Sequence, residues 1–145
     1  MERTEVTIRT EKQFTDLKEY IQKLIEGKKG MGLVHIFVAH TTCAIKIMEG
    51  ELLLLSDVSK YLDSEFPQQA EYRHDMIGIR DVPLSERING FAHMRQLFFD
   101  VDATIPVQDG QMLLGEWQSV FLIEFDPIRE RRIIITYYAD GESAQ

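Results

Sequence analysis

Three of the four histidines stand where a side chain can reach a cleft. His40 ends an apolar run, Leu33 to Ala39, and is followed by Thr41 and Thr42. His74 lies inside the long polar stretch from Gln68 to Pro83, and His93 follows a glycine in a short helical segment. Imidazoles titrate near neutral pH and bind metals in their neutral form. Three of them from separate elements suit an open metal site, in which three protein ligands leave a position for water or substrate. No H-x-x-x-H pair supports that set locally, so the residues alone also permit histidines scattered for structural reasons. His35, between Leu33 and Phe37, reads instead as a satisfied core histidine.

Glu49 and Asp75 are the carboxylates nearest these histidines in sequence, suited to orient a ligand histidine or to act as a base. The alternatives are a solvated strand end for Glu49 and a loop acid or helix cap for Asp75. Thr41 and Thr42 bring hydroxyl donors to a strand end. Gly115-Glu116-Trp117-Gln118 forms a compact cluster in which Trp117 is expected to anchor the core. Arg129, Arg131 and Arg132 are the basic concentration near the C-terminus. Arginine grips phosphate bidentately, and Arg129 is the expected phosphate contact, with Arg131 and Arg132 on the solvated face of a charged turn.

These residues need a scaffold, and the hydrophobic pattern supplies one. Glu5 to Arg9 alternates as a half-buried strand, and Thr10 resembles the N-cap of a helix carrying Phe14, Leu17, Tyr20, Ile21, Leu24 and Ile25. Leu33 to Ala39 reads as a strand covered on both faces, and Cys43 to Met48 as another. Leu52 to Phe66 reads as a helix with Pro67 beyond its end, and Ser85-Glu86-Arg87-Ile88 as the opening of a short helix that carries His93. From Leu97 the pattern is β, with Asp109-Gly110 as a hairpin turn between strands, then Gln111 to Leu114, Trp117 to Phe125 and Arg132 to Tyr138. The last five residues read as a frayed tail. Alternating elements followed by consecutive strands predict an α+β fold, a mixed, largely antiparallel sheet packed with two or three helices, in a single domain over 1–145.

Composition narrows the class. A net charge of −8 argues against a nucleic-acid partner, which calls for a basic footprint. An anionic ligand remains compatible, because a metal and a few arginines reverse the field locally. Cys43 is the single cysteine, so no intrachain disulfide or cysteine zinc cluster is expected. The longest apolar runs are four residues, far from the roughly 20 of a membrane span, and Met1 to Thr10 lacks the apolar core of a signal peptide. A cytoplasmic protein with no membrane partner is expected.

In order along the chain, His40-Thr41-Thr42, Glu49, Tyr72-Arg73-His74-Asp75, Ala92-His93, Ile105-Pro106-Val107 with Asp109-Gly110, Leu114-Gly115 with Trp117-Gln118, and Glu124-Phe125-Asp126 with Arg129 resemble the YjbQ-like family, the secondary thiamine-phosphate-synthase proteins. The resemblance implies an α+β subunit assembled as a homotrimer. It implies a pocket in which His40, His74 and His93 hold a divalent metal ion (zinc or magnesium) or an anion. Glu49 and Asp75 would be the catalytic carboxylates, and Thr41, Thr42, Gln118 and Arg129 would bind substrate. The implied activity joins hydroxymethylpyrimidine diphosphate to thiazole phosphate and releases pyrophosphate. Met48, Gly50, Leu52-Leu53, Phe91 and Glu116 depart from the family pattern. Of these, Met48, Phe91 and Glu116 favour the second reading, a non-catalytic trimer that binds a metal or small anion.

Overall fold

A computed structural model describes residues 1–140, which form eight strands and three α-helices. The predicted frayed tail lies outside the described residues. Strands β1 (Glu2–Thr10), β3 (Met31–Val38), β5 (Asp102–Gln108), β6 (Gln111–Met112) and β8 (Arg129–Ala139) make one sheet in the order β1-β8-β3-β5-β6. Strands β2 (Phe14–Asp16), β7 (Gln118–Glu124) and β4 (Cys43–Glu49) make a second, in the order β2-β7-β4. Every described pairing is antiparallel, so the α+β class is right but the sheets are not mixed. Antiparallel neighbours need no helical crossover, which is why three helices suffice.

Alternation along β7 explains the layering. Val120 and Leu122 point into the core between the two sheets, with Val34, Ile36, Ile45, Ile105, Ile133 and Ile135. Phe121 and Ile123 point the other way, into a second core with Ala44, Leu62, Phe91, Ala92 and Phe125 beneath helices α2 (Leu52–Glu65) and α3 (Gly90–Gln96). The result is three layers, in which the small sheet is covered on both faces. The strand expected to be doubly covered, β3, instead buries only Gly32, Val34, Ile36 and Val38, and Met31 and Leu33 are exposed on the other face. His35 is on that outer face, 3.0 Å from Asp102, and is not a core histidine.

Two predicted helix starts shift. Phe14 to Asp16 pairs with β7, and helix α1 spans only Lys18–Ile25, with the Asp16 carboxylate accepting from the Lys18 N–H at 2.8 Å. Phe14 matched the helical spacing by coincidence; burial against Phe121 on the small sheet wins. Helix α3 begins at Gly90 rather than Ser85. Helix α2 begins as expected, but its cap is a glutamate: Glu51 accepts from the N–H groups of Leu53 and Leu54. The Asp109-Gly110 turn is as read, with φ of 47° and 75°, the left-handed pair that suits a tight hairpin.

Candidate functional site

The chain crosses from the large sheet to the small one through residues 39–42, and this crossing makes one wall of a cleft. Val38 ends β3 and Cys43 starts β4, so His40, Thr41 and Thr42 are carried at the rim of the sandwich. The Arg132 N–H donates to His40 Nε2 at 2.8 Å. That bond assigns the lone pair to Nε2 and the proton of the neutral ring to Nδ1. Burial lowers the pKa of His40, with the nearby Arg131 charge adding to the effect. Both favour a neutral imidazole.

The opposite wall is the segment from Tyr72 to His93. Asp75 Oδ1 accepts the Gly90 N–H at 2.8 Å, capping α3 from a distant turn. Position 90 has no room for a side chain: a Cβ there would come within 2.5 Å of Tyr72 Cβ. This close docking sets His74 against His93 edge-to-face, with ring centroids 4.4 Å apart. Burial, and then the His74 charge, lower the pKa of His93. One oxygen of the Asp75 carboxylate is thus engaged by a backbone amide that ties the two walls of this segment together. Arg80 closes the same turn by donating to the His74 carbonyl at 2.7 Å.

The floor is built from β8 and the end of β7. Arg131, 3% exposed, donates through Nε to Glu124 Oε2 at 2.7 Å and through its terminal nitrogen to Glu124 Oε1 and to Thr42 Oγ1. It is a buried, doubly bonded guanidinium and not the solvated turn residue expected from sequence. Arg132 does lie outside, paired with Glu5. Arg129 donates to Asp126 Oδ2 through Nε at 3.2 Å and a terminal nitrogen at 2.8 Å. Asp126 also accepts from Arg87 and Asn89.

These walls enclose a cleft of about 490 Å³, lined on its polar side by His40, His74, His93, Arg80, Arg129 and Arg131, with Thr41 and Thr42 at the crossing. Of the nine residues expected at the site, this brings together His40, Thr41, Thr42, His74, His93 and Arg129, with Asp75 directly behind. Glu49 and Gln118 are elsewhere. They pair across the far end of β4 and β7, where Gln118 accepts from the Gly115 N–H. Cys43 and Glu49 are the two ends of the seven-residue β4, six positions and roughly 20 Å of extended chain apart. Trp117 at that end is 69% exposed and anchors no core. The departures at Met48, Gly50 and Glu116 also fall there, and Phe91 is buried in the second core. None of these four lines the cleft.

Sequence reading missed Arg80, and it placed Glu124 and Asp126 in the family pattern without giving them a role at the site. The signal for the two acids was present: they alternate at the end of an otherwise apolar strand, just before an arginine-rich stretch. Arg80 carried no signal, because its partner is a backbone carbonyl.

The donor set tests the metal expectation. His74 and His93 are adjacent, but His40 Nε2 is already engaged by a backbone amide, and three guanidinium groups surround the trio. Among the described residues, no group of three His, Cys, Asp or Glu side chains is arranged to hold a metal ion. A three-histidine metal centre does not fit this donor set.

Comparison with known proteins agrees with this framework. The family model described as UPF0047 protein YjbQ-like matches residues 2–140. The chain belongs to the YjbQ-like UPF0047 family. A UPF0047 protein of Archaeoglobus fulgidus is 31% identical over 90% of this chain and 97% of its own. Another, from Methanothermobacter thermautotrophicus, is 33% identical over 91% of this chain and 88% of its own. A hypothetical protein from Aeropyrum pernix superposes with a TM-score of 0.83 at 26% identity, covering 97% of this chain and 100% of its own. A YbjQ-like protein of unknown function from Sulfolobus solfataricus gives 0.81 at 26% identity, covering 94% and 95%. Relatives of the UPF0047 family thus share both the sequence pattern and the two-sheet fold. No helix among the described residues is long and apolar enough to cross a membrane.

Proposed function

We propose that the histidine–arginine cleft binds a phosphorylated small molecule. The observation that carries this reading is the convergence of Arg80, Arg129 and Arg131 with three histidines on one open cleft of a chain whose net charge is −8. Two of the arginines are anchored by buried carboxylates, so their guanidinium groups are oriented before any ligand arrives. Arg80 has no carboxylate within ion-pair distance among the described residues, and its one described bond is to a carbonyl. It is the arginine whose charge is least neutralised, and it takes the leading role that sequence reading gave to Arg129. Neutral His40 offers Nδ1–H as a further donor, and Thr41 a hydroxyl.

The same cleft suits a thiamine-phosphate-synthase-like transfer as the chemistry of this site: the thiazole nitrogen bonds to the pyrimidine's methylene carbon as the C–O bond to pyrophosphate breaks, and the arginines stabilise charge on the departing pyrophosphate. Calorimetric titration with pyrophosphate tests the binding reading. Arg80→Ala should weaken binding about ten- to hundredfold, the loss of one charge-assisted contact. Wild-type protein that ignores pyrophosphate, or an Arg80 variant that binds it equally well, overturns the reading. Pyrophosphate release from hydroxymethylpyrimidine diphosphate and thiazole phosphate, measured against a His93→Ala control, tests the transfer. Binding without turnover assigns the chain to the non-catalytic alternative.

A further inference from the structure

The cleft also presents acceptors, and their arrangement constrains the ligand beyond its phosphate. Glu86 and Glu130 line the same cleft, and both are exposed. Neither has a cationic side chain within ion-pair distance among the described residues, where the pocket arginines Arg129 and Arg131 are taken by Asp126 and Glu124. A third acceptor comes from Asn89, which is 4% exposed and lines the cleft between them and His93. Asn89 is the N-cap of α3, a position where an asparagine side-chain oxygen normally accepts from the first helical amides. Here it makes no such bond, and the Gly90 amide donates instead to Asp75. Asn89 Nδ2 donates to Asp126 Oδ2 at 2.9 Å. A carboxylate only accepts, so this bond fixes the amide orientation and leaves Oδ1 as its acceptor.

One cleft thus joins a guanidinium-rich side to a side with two carboxylates lacking cationic partners and one pre-oriented amide oxygen. A plain phosphate or pyrophosphate satisfies the first side and is repelled by the second. The geometry points to a zwitterionic ligand, a phosphomonoester that also carries a protonated amine or another N–H-rich cationic group. This rests on the anion-binding reading above and adds the second half of the ligand.

The probes are ethyl phosphate and 2-aminoethyl phosphate, which differ in the ammonium group, with inorganic phosphate alongside. Titration calorimetry at pH 7 and low ionic strength is expected to show 2-aminoethyl phosphate binding wild-type protein about tenfold more tightly than ethyl phosphate. That factor lies between an exposed ion pair and a fully charge-assisted bond. In the double variant Glu86→Gln with Glu130→Gln, both exposed positions, the preference should fall to about threefold or less while ethyl phosphate binds at least as well. If wild-type protein binds all three probes and the amine brings no gain, the zwitterion inference is overturned and the anion reading stands. If none of the three binds, the anion reading falls and takes this inference with it. A preference that survives the double variant unchanged also overturns the assignment to these carboxylates.

Discussion

Replacing Glu124 by glutamine should destabilise the whole domain while leaving its shape nearly unaltered. The carboxylate and the Arg131 guanidinium are both buried, and four bonds converge on the acid: two from Arg131, one from Thr10 and one from the Asp126 amide. A buried pair is itself of modest net worth, but removing one partner strands the other, at about 3–5 kcal/mol. Against a typical total of about 5–15 kcal/mol, that is a large fraction. At about 3 °C per kcal/mol for a chain of this size, Glu124→Gln should melt roughly 10–15 °C below wild type by circular dichroism. The double variant Glu124→Leu with Arg131→Met should recover much of that loss, since it leaves no orphaned charge. Acidity gives an independent check. Burial alone would raise the Glu124 pKa, but its bonds from Arg131, Thr10 and the Asp126 amide outweigh that and hold it below the ordinary 4.5. A depressed folded pKa means stability that is complete above the unfolded value and lost as pH falls through the folded one. Wild type should lose this contribution only below about pH 4.5, and the glutamine variant should lack that part of the acid dependence. A glutamine variant within about 1 kcal/mol of wild type at pH 7 would refute the reasoning, because the guanidinium would then be solvated or otherwise neutralised.

Other consequences are checkable separately. His93 should titrate below 6.5 by proton NMR, and His74→Ala should move it upward, since the neighbouring charge is one cause of its depression. Its depressed pKa stabilises the fold above the unfolded value near 6.5, and that contribution is lost as pH falls through the folded pKa. Asp75→Ala should cost about 1 kcal/mol in urea unfolding as a lost cap and should weaken pyrophosphate binding by loosening His74 from His93. Glu49→Gln and Gln118→Ala should leave pyrophosphate affinity unchanged in calorimetry, because both residues sit at the far end of the small sheet. Homotrimeric assembly, the proposal carried by the family resemblance, predicts a light-scattering mass near three times 16.9 kDa.

Much of the architecture was legible because antiparallel strands and capped helices leave local marks. The β4 and β7 strands show as short apolar runs, α2 is marked by Pro67 and its apolar face through Val58 and Leu62, and Asp109-Gly110 marks its turn unaided. Burial on both faces was harder to place. A run such as Leu33 to Ala39 looks identical whether its second apolar row meets another layer or solvent, and only the position of β7 between the sheet and the helices decides which strand is central. The same limit hid β2: three residues cannot display a period, so Phe14 was absorbed into the helix that follows it.

The site was legible where chemistry lies at the ends of elements and illegible where it depends on pairing. His40, His74 and His93 each interrupt or leave an apolar pattern, which marks them without knowledge of their partners. The arginines carry no such mark, since Arg129, Arg131 and Arg132 are equivalent in sequence. Their roles are set by which side of β8 each occupies and which acid waits there. Odd positions in this part of β8 face inward, so Arg131 meets Glu124 and is buried, while Arg132 turns out to Glu5. Arg129, at the strand start, is held three residues back by Asp126. Among the described residues, the cleft arginine without a carboxylate partner is therefore Arg80, in the least periodic stretch of the chain. Under the proposed anion-binding reading, this division of labour answers the net charge of −8. Repulsion from the surface is screened beyond about 8–10 Å. Inside that radius the cleft pairs its buried acids with arginines that stay oriented, and leaves Arg80 without a carboxylate partner among the described residues.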